Sequence, residues 1–292
     1  MKHPLVKKLI MSGILLIAAI LRFTGVDWDQ GQHLHPDERF LTMVGNAMHL
    51  PISLTQYLDP TMSPMNPANI NYSFYVYGLF PVICNKLLAI FLGADSYQGF
   101  TIQGRMLSAF FDILVVLLVF KTVELLEKPH TAIDSSIKYF AAFFYAIAVL
   151  PMQLAHFFAV DTFLNTFLFA SFYFALRFWT LGSVTSLFVS MITLGMALAC
   201  KVNGIFIIPL NAFFIGSGLF MRENGHWIRQ KHKHYFITIK NTPISILYGI
   251  CAIIIAYITL RFADPYLFES KNFFDPHISK LFLQNLQTLL ME

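Results

Sequence analysis

The sequence predicts an all-α polytopic membrane protein with about seven transmembrane helices and a long first extracytoplasmic loop. Three observations predict it. The 292 residues are 57% hydrophobic and only 12% charged, against about 25% charged in an ordinary soluble domain. Phenylalanine alone fills 31 positions. The apolar stretches are long and lack the two-residue alternation of half-buried strands, so they read as helices, which satisfy their own backbone groups in lipid. At about 20 residues per crossing, the chain has room for roughly six to eight spans plus one or two long loops.

The first span is expected at about residues 9 to 25. Its basic start and apolar run resemble a signal peptide, but no small-residue cleavage site follows, so it reads as a retained anchor. A polar loop over 26–104 comes next, with Asp27, Trp28 and Asp29, the run His35-Pro36-Asp37-Glu38, a short helix near 38–49, and prolines at Pro51, Pro60, Pro64 and Pro67. A connection of that length is expected to be functional. Apolar segments follow at about 73–93, 105–125, 137–158, 162–180, 183–200, 204–221 and 243–262, and the tail from 263 to 292 is mixed and amphipathic. Cys84, Cys200 and Cys251 are widely spaced within apolar runs, which gives neither a disulfide framework nor a zinc motif.

Charge placement orders these segments. The net charge of +4 is modest and calls for no nucleic-acid partner, but Lys2, Lys7 and Lys8, then Lys121 and Lys128, then Arg177, then Arg222, Arg229, Lys231, Lys233 and Lys240 mark candidate cytoplasmic stretches by the positive-inside tendency. If 73–93 crossed, the later basic clusters would face outward. Pro81, Asn85 and Lys86 interrupt that segment, and Tyr72, Tyr75 and Tyr77 sit at its start, as at a headgroup boundary. Treating it as interfacial leaves seven spans and puts Asp37, Asp161 and Lys201 on one external face.

Two adjacent carboxylates at a membrane boundary suit proton abstraction from a hydroxyl, or metal binding, beside a lipid-borne substrate. Asp37 and Glu38 head the helix after Pro36, where the helix dipole favours negative charge; capping alone would explain them. The flanking His33 and His35 and a second acidic site at Asp161 favour function. Arg105 and Asp112 are seven residues apart, close to one helix face, and are expected to pair across helices. His156 is either a site residue or an interhelical hydrogen-bonder. Lys201 either snorkels to the interface or offers a counter-charge to a lipid phosphate.

Five motifs carry a family resemblance: His35-Pro36-Asp37-Glu38, Tyr75-Val76-Tyr77-Gly78, Gly104-Arg105-Met106-Leu107-Ser108, Ala155-His156 with Val160-Asp161-Thr162, and Lys201-Val202-Asn203-Gly204. In this order over residues 8–204 they resemble the C-type (GT-C) membrane glycosyltransferases, phospholipid-carrier-dependent enzymes related to protein O-mannosyltransferases and aminoarabinose transferases. The resemblance implies a GT-C-like bundle over residues 1–262. It also implies an inverting transfer of a sugar from a polyprenyl-phosphate donor to a hydroxyl or amine of a lipid, protein or glycan acceptor. The site would face outward from a prokaryotic inner membrane. Asp37, Glu38 and Asp161 map onto the catalytic acidic positions and could also hold a divalent metal ion, although some relatives work without one. Arg105 maps onto the arginine that begins the second span in that family, and Arg105, His156, Lys201, Tyr77 and His35 are the candidate substrate-binding residues.

The chain departs from the pattern at Tyr77-Gly78-Leu79-Phe80-Pro81, where aminoarabinose transferases carry Lys-Pro-Pro. Family members also continue beyond the position of Glu292, so 263–292 reads as the start of a later external loop and the chain as a truncated product. The alternatives are a nonfunctional fragment, or a transporter or flippase in which Arg105, Asp112 and Asp161 form an ion relay. A transporter usually shows inverted repeats, and no convincing repeat is present.

Overall fold

The computed structural model describes residues 4–127, 136–223 and 242–291. Of the basic residues used to order the spans, Lys2, Lys128, Arg229, Lys231, Lys233 and Lys240 lie outside the described residues. The architecture is all-helical, with no strand among the described residues. Every predicted crossing segment has a helical counterpart. Among the described residues, three stretches are by themselves long and apolar enough to cross a membrane: Tyr97–Leu126, Val202–Leu219 and Ser245–Ala263.

Helix α1 spans Pro4–Phe23 and α2 spans Pro36–Ala47. Pro36 occupies the first helical position of α2, where a missing N–H costs nothing, and Asp37 and Glu38 fill its first turn. After the short α3 (Leu54–Leu58), α4 covers Phe80–Leu92 within the segment expected to be interfacial. Thirteen residues at ~1.5 Å each make about 20 Å, short of a ~30 Å hydrocarbon core. Lys86 on this helix is buried and holds both Asp95 carboxylate oxygens at 2.7 and 2.8 Å.

The thirty-residue α5 (Tyr97–Leu126) begins eight residues before Arg105, so Arg105 sits inside the helix and not at its start. The predicted single span 137–158 is broken into α6 (Ile137–Ala146) and α7 (Val149–Leu154). Pro151 supplies the reason. Its nitrogen cannot bond the carbonyl four residues back, at Ile147, but it is tolerated in the first turn of a new helix. The break strands carbonyls at the end of α6, and in an apolar setting these need donors. Arg22 provides them: its guanidinium donates to the Ala146 carbonyl at 2.7 Å and to Asp112 Oδ2 at 2.5 Å. The Tyr145 hydroxyl donates to Asp112 Oδ1 at 2.7 Å.

The chain continues through α8 (Val160–Leu181), α9 (Val184–Leu198), α10 (Ile208–Glu223), α11 (Thr242–Ala263) and α12 (Lys280–Met291). Helix α8 packs against α5, α9 and α10, and α9 also packs against α11. Ser171, Ser190 and Asn211 bind α8, α9 and α10 together through hydrogen bonds of 2.6 to 2.9 Å, the small-polar bonding common between helices in lipid. Apolar cores lie at the α1–α5–α6 junction, among α8 to α11, and beneath the polar loop against α4, α5 and α8.

The structural ion pairing expected of Arg105 and Asp112 is formed with other segments and not between the two residues themselves. Each has its own buried partner, Asp112 with Arg22 and Arg105 with acidic residues of the first loop. Replacing Arg22 by Leu should leave a buried carboxylate unpaired and cost about 3–5 kcal/mol. Adding Asp112→Leu should restore more than half of the loss, read as the denaturation midpoint in detergent. An equal loss in the single and double variants would contradict the pairing.

Candidate functional site

The site is built outward from Arg105, which is fully buried. Its Nε and one terminal nitrogen donate to Glu38 Oε1 and Oε2 at 2.8 and 2.6 Å. The terminal nitrogens also reach Asp29 Oδ1 and Oδ2 at 3.0 and 2.8 Å and the Val26 carbonyl at 2.8 Å. These five bonds use the whole donor set of a guanidinium, so no N–H remains for a substrate phosphate. The face of Trp28 lies 5.2 Å from the guanidinium carbon, a cation–π contact.

One cation faces two carboxylates, and backbone donors offset the excess charge. The Phe158 N–H donates to Glu38 Oε1 at 2.7 Å. Gly31 and Leu34 donate to Asp29, each at 3.3 Å. The Arg105 hydrogen bonds hold the Asp29 carboxyl down at about 2, against a smaller opposing effect of burial. Gly104 makes the Phe158 contact reachable, since a Cβ there would come within 2.3 Å of the Phe158 ring.

Neighbouring carboxylates therefore part company. Glu38 is fully buried, whereas Asp37 is exposed and faces Tyr77. Burial, then the charge of Asp37, pushes the Tyr77 phenol up to about 12, with a smaller contribution from Asp161. Tyr77 thus stays protonated near neutrality and can donate toward Asp37. Asp161, in the first turn of α8, accepts a 2.8 Å hydrogen bond from Lys201 Nζ, and both side chains remain partly exposed. One of the three Lys201 N–H groups is so used, and two remain for another acceptor.

The Tyr77 strip is held to the Lys201 turn by its backbone. Gly78 N donates to the Cys200 carbonyl at 2.9 Å, and Phe80 N to the Ala199 carbonyl at 3.1 Å. A Cβ on Gly78 would lie 2.1 Å from the Ala199 oxygen, so only glycine fits this approach. Asp37, Tyr77, Asp161 and Lys201 are thereby gathered into one half-exposed cluster from four separate chain segments.

The remaining predicted residues are structural in their contacts. His35 caps α2, its Nδ1 accepting the Glu38 N–H at 3.2 Å, and its ring stacks on Phe157 at 4.3 Å. His156 places its two ring nitrogens 2.8 Å from the Met152 carbonyl and 3.0 Å from that of Thr24, joining α7 to the end of α1. With Glu38 turned inward, Asp37, Glu38 and Asp161 do not fit a shared divalent ion, and no metal-binding group of three His, Cys, Asp or Glu side chains occurs among the described residues. Arg105, Asp112 and Asp161 likewise form no relay, since each is committed to a different partner.

Three residues escaped the sequence reading of the site. Asp29 was visible as a loop carboxylate, and a lone arginine in an apolar span demands such a partner. Arg22 carried the same signal. Asp264 is buried below a second surface: burial pushes its carboxyl up to about 7, although the Leu79 and Leu267 N–H groups oppose this. The tail carrying it folds back, with Asn285 of α12 donating to the Ser73 carbonyl at 2.6 Å.

The apolar helices thus carry a half-exposed cluster of two carboxylates, a tyrosine and a lysine. Residues 99–248 match the profile of the dolichyl-phosphate-mannose-protein mannosyltransferase family, and the chain belongs to that family. The match contains Arg105, His156, Asp161 and Lys201, while Asp37 and Tyr77 precede it. No curated protein and no solved structure matches the chain.

The two adjacent carboxylates should respond oppositely to removal. Glu38→Ala should cost about 3–5 kcal/mol, because Arg105 loses a buried partner, while Asp37→Ala should leave the detergent melting temperature near that of the unaltered protein. Equal destabilisation by the two would contradict the inward and outward assignments.

Proposed function

We propose that the protein is an inverting glycosyltransferase that moves a sugar from a polyprenyl-phosphate donor to a hydroxyl or amine of a lipid, protein or glycan acceptor. The observation that carries the reading is the exposed Asp37 carboxylate, held against Tyr77 in one cluster with Asp161 and Lys201. Family membership supports glycosyl transfer with a mannosyltransferase-like donor chemistry. In this reading the site faces outward, which the charge bias of the basic segments supports, from a prokaryotic inner membrane, as the family resemblance implies.

In this reading the acceptor hydroxyl sits against Asp37, which takes its proton as the oxygen attacks the anomeric carbon. The bond from that carbon to the phosphate oxygen breaks on the opposite face, so the configuration inverts. The lipid phosphate leaves with the bonding electron pair, and the free N–H groups of Lys201 neutralise its charge. Asp161 orients the Lys201 ammonium through their 2.8 Å contact. Phosphate is already a competent leaving group, so positioning and charge neutralisation supply most of the acceleration. Arg105 and Glu38 act as positioning residues, with no contact to either substrate. No step requires a metal ion.

Asp37→Asn should abolish sugar transfer, by at least a hundredfold for a lost general base, with membrane insertion and melting temperature retained. The measurement is release of lipid phosphate from a panel of labelled polyprenyl-phosphate sugars. Undiminished release by the Asn variant would remove Asp37 from the reaction.

A further inference from the structure

Beside the carboxylate cluster, between the first loop and the folded-back tail, lies a cleft of about 370 Å³. Its volume is at the small end of the ~300–1,000 Å³ range of ligand pockets, enough for a single ring and too small for a long chain. Tyr72, Tyr75, Tyr77, Asp264, Tyr266 and Asn285 are among its walls. Phe40 packs behind them, with its ring centroid 6.1 Å from Tyr72, 5.9 Å from Tyr75 and 6.3 Å from Tyr77. Phe40 and Asp37 are three residues apart on α2 and so share one of its faces.

The chemistry of the wall selects its occupant. Aromatic faces suit the C–H face of a sugar ring, and hydroxyl, amide and carboxyl groups suit its equatorial and axial hydroxyls. A phosphate is poorly served, because the Lys280 ammonium at the rim lies 3.9 Å from Glu269 and carboxyl groups otherwise supply the charge of the lining. Tyr77 lines the cleft and also faces Asp37, so a ring seated there lies one side chain away from the carboxylate. Asp264 accepts a hydrogen bond from the Leu79 N–H, and burial raises its carboxyl to about 7, so part of the population near neutral pH is protonated and can donate as well as accept.

We propose that this cleft seats one pyranose ring, with Tyr72 and Tyr77 against its faces and Asp264 bonding its hydroxyls. The ring belongs either to the lipid-linked donor or to a saccharide acceptor; only this choice rests on the glycosyl-transfer reading.

The test begins with binding alone. Saturation-transfer NMR is recorded on the protein in nanodiscs with methyl hexopyranosides and methyl pentopyranosides. The unaltered protein and its Asp37→Asn variant should both transfer saturation to at least one glycoside. Leu281→Trp, at a partly exposed lining position of α12, should lose most of that transfer. Tyr72→Leu, which keeps apolar bulk but removes the ring and hydroxyl, should do the same if the tryptophan variant fails to fold. No transfer to any glycoside, or transfer undiminished in the folded variants, would overturn the proposal whatever the protein's activity. Kinetics then identify the ring. At least a tenfold rise in KM for acceptor-free donor hydrolysis assigns it to the donor, and the same rise confined to a saccharide acceptor assigns it to the acceptor. If Asp37-dependent release is intact and neither KM moves in the variants, the cleft proposal falls while the transfer reading stands.

Discussion

The buried guanidinium of Arg105 is the constraint on which the site depends. A charge inside an apolar bundle must be neutralised where it stands, and here neutralisation draws in three pieces of chain. Asp29 and Val26 come from the loop after α1, Glu38 from the first turn of α2, and Phe158, through Glu38, from the turn before α8. Removing one member of such a network leaves another charge buried without a partner, which costs more than the intact pair contributes. The network therefore fixes a relative placement more than it adds stability.

That placement has a chemical result. Adjacent residues on a helix point in different directions, so anchoring Glu38 inward turns Asp37 outward. The same Glu38 holds the residue two before α8, whose first turn carries Asp161. A second, purely backbone connection through Gly78 brings Tyr77 to the turn that presents Lys201. One ionic clamp and one close backbone approach thus assemble a cluster from residues 37, 77, 161 and 201, which are far apart in the sequence. Arg22 performs a parallel service deeper in the bundle, where it satisfies both a carboxylate and the carbonyl freed by the break before Pro151.

Much of the fold was legible because lipid leaves few options. Long apolar runs had to be helices, and Pro36 before two acids had to start one. The α6–α7 break was harder to see, since Pro151 lies inside a continuous apolar stretch and its effect depends on whether a donor such as Arg22 can serve the freed carbonyls. In the site, Asp37, Asp161, Tyr77 and Lys201 were singled out from the sequence, and the structure brings them together. The division of labour within the acidic pair was not legible, because spacing says nothing about which of two neighbouring carboxylates meets a buried cation. Arg105 was expected to bind substrate, whereas its five N–H groups are all taken up by Glu38, Asp29 and Val26. The tail from 263 was read as amphipathic and as the start of a later external loop. Its return onto Tyr75 is a long-range packing event with no local signature.

The most direct test of this account is a structure determined with a lipid-linked sugar bound. The account predicts that the Arg105 guanidinium remains on Asp29 and Glu38 while the phosphate is held by Lys201, within reach of Asp37. A guanidinium swung onto the phosphate, with Glu38 released toward the substrate, would contradict it.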